Sequence, residues 1–315
     1  MSLRSFFQNH RFSRPSAQVA NLSDMRRREA LSAYLFIAPT FLIFLLFIAA
    51  PMLFSFGLSF FAWDVITPAR FVGFSNYGAI LNDIRFFESL HNTFAFVVIV
   101  VVCNLLVALG LAAVLQCFVP LFLQRWYFSV YMLPVITPIS SFAIVFGFLL
   151  HNDLGVVNYY LEMLHMPAIP WLTSSSWALF SIALVTVWKS FGFDLILFVA
   201  AMQRFPRQLY DAAAIDGAST WQQFRWITLP LLSPTIFFAV VVGLIMNFQV
   251  FDQPYVMTRG GPGNSTRTLV LLVYEDAFGA MRMGYGSTIA LMLFGILLIL
   301  TILQLRFVQR WVHYG

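Results

Sequence analysis

Six predominantly apolar stretches, each of about twenty residues or more, constrain this chain more than any other feature. They cover residues 33–61, 92–119, 126–150, 177–202, 231–256 and 285–307. A helix rises about 1.5 Å per residue, so about 20 residues cross a hydrocarbon core of about 30 Å. Each stretch therefore reads as a transmembrane helix. The period-two alternation that marks membrane β-strands is absent from all of them. The expected fold is an all-α integral membrane bundle with six transmembrane helices. Composition agrees: 60% of residues are hydrophobic and 10% charged, whereas soluble domains carry about 25% charged residues. Prolines 39, 51, 134, 138 and 234 interrupt the spans. Each removes a backbone donor and favours a kink, which membrane helices tolerate when neighbours satisfy the freed carbonyl.

Residues 1–30 are polar and basic, and Arg26, Arg27 and Arg28 stand just before the first apolar run. The chain thus divides into an N-terminal segment, 1–30, and a transmembrane domain, 31–315. The first run is too long for a signal-peptide core and lacks a cleavage site, so it is expected to stay in the mature protein. Arg4, Arg11, Arg14, Arg26, Arg27, Arg28, Arg125, Arg204, Arg207, Arg225, Arg306 and Arg310 fall on one side of the spans. Arg70, Arg85, Arg259, Arg267 and Arg282 fall on the other, and residues 151–176 hold no Lys or Arg. The positive-inside rule then places both termini in the cytoplasm. This sidedness explains the net charge of +5 without nucleic acid, for which there is no soluble basic module.

Enzymatic and metal chemistry find little support. Cys103 and Cys117 lie 14 residues apart in one helix, roughly 21 Å by helical rise and beyond disulfide reach. No His/Cys cluster suggests a metal. His10, His91, His151, His165 and His313 are scattered, and none pairs with a carboxylate at helical spacing, as a membrane-embedded enzyme would want. A secondary transporter would show inverted repeats, and none is visible. A phosphate-binding loop is also missing: Lys189 is the only lysine, Trp188 precedes it, and no glycine lies nearby upstream. Any ATP must be hydrolysed by another polypeptide.

Residues 203–230 are neither apolar enough to span nor low in complexity. The Ala-rich centre favours a short helix, and Gly217 is a natural helix stop. The stretch reads Asp211-Ala212-Ala213, three residues, Gly217, nine residues, then Ile227-Thr228-Leu229-Pro230. It resembles the EAA loop of binding-protein-dependent ABC importer permeases, with every spacing kept and Asp211 where Glu is usual. Gln203, Pro206 and Leu209-Tyr210 resemble the carbohydrate, or maltose-type, branch of that family. So do Thr258-Arg259-Gly260-Gly261-Pro262 and Phe71-Val72-Gly73-Phe74-Ser75-Asn76-Tyr77. The resemblance covers about residues 33–310. It implies a permease subunit of an ATP-driven sugar or oligosaccharide importer in the cell inner membrane, working by alternating access. Asp211, Ala212, Ala213, Gly217, Ile227, Leu229 and Pro230 would form a cytoplasmic coupling loop between helices four and five. It further implies two ATPase subunits carrying ATP and Mg, a second permease subunit and an external solute-binding protein. This chain itself would hold no cofactor. A polyol or glycerol phosphate is the alternative solute.

Maltose-type permeases hold sugar mid-membrane between helices equivalent to spans four and five. Alignment on the two motifs implies a substrate pathway at Thr186, Ser190, Phe193, Gly243, Met246, Asn247 and Val250, with Lys189 beside Ser190. Most of these residue types differ from the family's, so maltose specificity does not carry over. The segment between spans three and four is also short here, where the maltose subunit has a whole domain. Lys189 lies at membrane depth, where an unpaired charge is costly, and suggests an acidic solute such as a uronic-acid oligosaccharide. Asp194 is about 140° round the helix from it and is a poor partner. Asp252 on span five stays open as one. For Asp194, Gln249, Asp252 and Gln253 the favoured reading is interhelical hydrogen bonding.

Overall fold

The computed structural model describes residues 22–311. Arg4, Arg11, Arg14, His10 and His313, with most of the 1–30 segment, lie outside the described residues. The chain divides into two compact units, one ending at Phe54 and one beginning at Ser55. The first holds α1 (Leu22–Phe44), a π turn (Leu45–Ala49) and the start of α2 (Ala50–Leu58). Pro39 lies inside α1. Pro51 follows the π turn within one continuous helix, Glu29–Leu58, and its missing N–H leaves a carbonyl of the preceding turn without an intrahelical donor.

In the second unit the end of α2 is followed by a small antiparallel hairpin, β1 (Phe61–Ala62) with β2 (Arg70–Phe71). The glycine-aromatic segment that follows has a structural task. Gly73 takes φ +56, and α3 (Ser75–Leu81) starts two residues later. The Asn76 amide donates to the carbonyls of Ser59 and Phe61 at 2.8 and 3.0 Å, and the Tyr77 hydroxyl lies 2.8 Å from Ser59 Oγ. These bonds satisfy the backbone where the chain leaves the first span.

The long elements follow as α4 (Ile84–Phe118), α5 (Leu121–Ile136), α6 (Ile139–Leu149), α7 (Val156–Met163) and α8 (Ser175–Met202). After α9 (Arg207–Ile215) and α10 (Thr220–Gln223), a π turn (Phe224–Thr228) enters α11 (Leu229–Phe248). A π turn (Pro254–Thr258), α12 (Leu269–Tyr274), a further π turn (Glu275–Gly279) and α13 (Met283–Trp311) complete the described chain. Among the described residues, five helices are long and apolar enough to cross a membrane: Glu29–Leu58, Ile84–Gln116, Ser175–Met202, Thr220–Phe248 and Met283–Arg306. The bent pair α5–α6 makes a sixth if counted as one span.

Three boundaries differ from the hydropathy reading, each for a local reason. Span two starts earlier, at Ile84, because the Asp83 carboxylate caps the helix by accepting from the Arg85 N–H at 3.0 Å. Span three is not one helix but turns by 93° between α5 and α6, where Pro138 supplies no donor to the preceding turn. Span five stops at Phe248 rather than 256. The Gln249 and Val250 N–H groups turn to the carbonyls three residues back, Met246 and Asn247, at 3.3 Å. The Val250 carbonyl, which Pro254 cannot serve, accepts from Thr268 Oγ1 at 3.0 Å.

Helix α8 is the centre of the second unit and packs on α4, α5 and α11. One core cluster joins Ala108, Ala112 and Leu115 of α4 to Leu195, Phe198 and Met202 of α8 and Leu232 and Ala239 of α11. Two fully buried alanines four apart give α4 a flat stripe for close helix approach. A second cluster sets Phe96 and Val100 of α4 against Ile182, Ala183 and Val187 of α8. A third joins α4, α12 and α13 through Val97, Val101, Leu269, Leu272, Ile289 and Leu293. On its α5 side, α8 comes closer still: a Cβ on Gly192 would lie 2.2 Å from the Tyr131 carbonyl oxygen.

Candidate functional site

The stretch between α8 and α11 folds as helix, turn, helix. Pro206 caps α9 from an extended conformation, and the alanines carry the helix to Ile215. Gly217 then takes φ +77. The Ala218 N–H bonds back to the Ala213 carbonyl at 2.9 Å, and the Gly217 N–H to Ala214 at 3.1 Å. That pattern closes a helix through a left-handed residue, for which glycine carries the least strain. Ser219 opens α10 with a capping box: its backbone N–H donates to Gln222 Oε1 at 2.7 Å, and its Oγ accepts from the Gln222 N–H at 3.4 Å. The spacing from Ala213 to Gly217 to the next helix is thus the spacing of two caps.

The loop is anchored at its base and bare at its tip. Tyr210 OH lies 3.0 Å from Thr228 Oγ1, tying α9 to the start of α11. Gln223 Nε2 donates to the Ala218 carbonyl. No residue of α9 is buried, and Ile215 is 86% exposed. Asp211, Ala212 and Gly217 are exposed, while Ala213, Ile227, Leu229 and Pro230 are half-buried. A cavity of about 570 Å³ opens behind the loop, lined by Gln116, Gln124, Gln203, Arg207, Tyr210 and Asp211 among others.

The second group of residues lies about halfway along α8. Lys189 Nζ donates to the carbonyls of Pro134 and Val135 at 3.3 and 3.2 Å. The first is the carbonyl that Pro138 cannot serve, and both end α5 at the 93° bend. The lysine therefore caps a broken helix, a favourable place for a cation, and neither Asp194 nor Asp252 is its partner. Asp252 Oδ1 instead accepts from Ser140 Oγ at 2.9 Å.

Ser190 and Thr186 belong to a polar chain that crosses the bundle. Asn104 of α4 donates to Ser190 Oγ at 2.8 Å, and Ser190 donates to the Thr186 carbonyl. Gln253 donates to Thr186 Oγ1 at 3.3 Å. Thr186 and Val250 are buried, Gly243 packs on Val101, and Asn247 Nδ2 donates to the carbonyl of Gly243 in its own helix. Phe193 and Met246 are the exposed members, Met246 at 71%. The seven aligned positions and Lys189 thus do not form one closed pocket within this chain. Asn104 carries no signal in sequence that would join it to Ser190, 86 residues away.

Two motif glycines after span five build a tight loop. Arg259 and Gly260 both have positive φ, and Thr258 Oγ1 and Thr266 Oγ1, 2.7 Å apart, close its base.

The membrane-spanning helices, the capped helix–turn–helix and the glycine loop together define a membrane permease subunit. The chain belongs to the family of binding-protein-dependent transport system inner membrane components, whose model matches residues 106–313. It is accordingly a multi-pass inner-membrane protein. It is 36% identical to the sulfoquinovosyl glycerol transport system permease protein SmoG of Agrobacterium fabrum, over 89% of this chain and 91% of that one. It is 32% identical to the lactose transport system permease protein LacF of Rhizobium radiobacter, over 90% and 95%. In fold it is similar to a crystal structure of a bacterial ABC transporter involved in the import of the acidic polysaccharide alginate. There the TM-score is 0.79 at 23% identity, covering 92% of this chain and 98% of that one.

Proposed function

We propose that this chain is a permease subunit of an ABC importer that carries a sugar or oligosaccharide inward by alternating access. The observation that carries the reading is near full-length similarity to relatives named for sugar transport, at 36% and 32% identity. The capped helix–turn–helix of α9 and α10 supplies the element such a subunit needs. Its exposed small residues and its bare Ile215 suit close docking in a groove of an ATPase. In this reading Asp211, Ala212, Ala213, Gly217, Ile227, Leu229 and Pro230 couple two ATPase subunits, with ATP and Mg, to the membrane helices. A second permease subunit completes the pathway past Thr186, Lys189, Ser190, Phe193, Gly243, Met246, Asn247 and Val250. A binding protein delivers solute from outside, and both termini face the cytoplasm.

An acidic sugar is the narrower reading. Lys189 is only partly buried and engages two of its three N–H donors on carbonyls, so one is left for a solute carboxylate. The alginate transporter, similar in fold, is described as importing an acidic polysaccharide. Uptake by vesicles holding the assembled transporter tests the proposal. Sugar accumulation that requires both ATP and the binding protein is expected. Uptake without ATP would overturn it.

A further inference from the structure

Four rings lie together where the chain leaves α11. Phe251 and Tyr255 stack with 5.1 Å between centroids and 15° between planes. Tyr274 meets both, at 5.1 and 5.3 Å, and Phe278 adjoins Tyr274 at 5.7 Å. The pairs sit four residues apart on two segments: Phe251 in the link after α11 with Tyr255 in the π turn that follows, and Tyr274 at the end of α12 with Phe278 in the next π turn, so each ring is held by its neighbours. They are nevertheless open: Tyr255 is 39% exposed, Tyr274 37% and Phe278 58%.

Aromatic residues at this depth commonly face lipid, but the segment that carries these does not suit lipid. Gln253 bonds to Thr186, 11 residues into α8, which is about 16 Å from the end of that helix by its rise. Asp252 is the adjacent residue. Its carboxylate is partly open to solvent and is met by a serine hydroxyl at 2.9 Å. Gln249, on the same segment, is exposed. A carboxylate at that depth is tolerated where it lines water or a polar partner, not hydrocarbon. Phe251 and Tyr255 flank Asp252, and exposed Met246 lies five residues before Phe251.

We infer that Phe251, Tyr255, Tyr274 and Phe278 form a stacking platform for a pyranose ring on the outer side of the mid-membrane positions. The inference rests on the sugar reading above. Ring C–H groups lie on the aromatic faces, while Asp252, Gln249 and the two phenols take up hydroxyl hydrogen bonds. Flat apolar surface with a few polar groups on the same segment is the mixture that small-molecule sites provide. Stacking is indifferent to a carboxylate elsewhere on the sugar.

The test uses the complete transporter in vesicles, offered lactose, maltose and an alginate pentasaccharide. The sugar taken up serves as the probe for the variants. Tyr255→Leu and Tyr274→Leu are expected to raise KM about fivefold each, the scale of one aromatic contact. Tyr255→Phe and Tyr274→Phe should stay within about twofold of wild type, since the ring face rather than the hydroxyl carries the stack. Subunit composition after purification should match wild type. Leucine variants that transport as well as the phenylalanine ones would overturn the platform while leaving the sugar reading intact. So would leucine variants that lose a subunit, since the rings would then be interface packing. ATP-driven uptake of a non-sugar solute alone would overturn both.

Discussion

Gly217 is where residue-scale physics bears most directly on function. It needs a positive φ, yet a Cβ there would meet nothing within 4 Å. Within this chain, substitution therefore costs only backbone strain, about 1–2 kcal/mol for a left-handed residue. Gly217→Ala is expected to insert, fold and keep most transport. Gly217→Leu should fold equally well but lose transport, because the added bulk meets an ATPase groove rather than its own chain. Equal transport by both variants in vesicles would remove the docking argument. Asp211 should matter less, since an exposed ion pair is often worth under about 1 kcal/mol. Lys189 is the second case. Lys189→Met leaves the Pro134 and Val135 carbonyls without their donor, and each orphaned group costs about 1–3 kcal/mol when buried. A lower melting temperature is expected, with acidic oligosaccharides losing more transport than neutral ones. Equal loss for both would confine the lysine to capping α5.

At the scale of elements, close approach between helices sets what the bundle tolerates. Gly192 of α8 sits against the backbone of α5, not against a side chain that could swing away. Gly192→Ala is expected to cost about 1–3 kcal/mol, as overpacking does. A thermal-unfolding midpoint unchanged from wild type would contradict that contact. Hydropathy made the existence of the long helices legible, because twenty apolar residues have few alternatives in a bilayer. It could not show the bend after α5 or the early end of α11. The first depends on a carbonyl that Pro138 cannot serve and distant Lys189 takes, the second on Gln249 and Val250 turning back three residues while distant Thr268 takes the Val250 carbonyl. The loop was legible because its spacing encodes two caps in one short segment. The contacts around Ser190 and Tyr274 were not, because Asn104 and Ser190, or Phe251 and Tyr274, meet only after folding.

At the scale of the whole molecule, the arginine distribution predicts orientation, and orientation decides whether α9 and α10 can reach an ATPase at all. With its native cysteines replaced, a protein carrying Ser174→Cys should react with an impermeant thiol reagent from outside. One carrying Ser219→Cys should react only after permeabilisation. The reverse pattern would place the loop on the wrong side. The most direct test of the central claim is affinity purification of the tagged protein from mild detergent, wild type beside Gly217→Leu. A permease that works through the α9–α10 loop should bring down a P-loop ATPase when wild type and lose most of it when substituted. Purification without any ATPase, or equal ATPase retention by both proteins, would contradict the account.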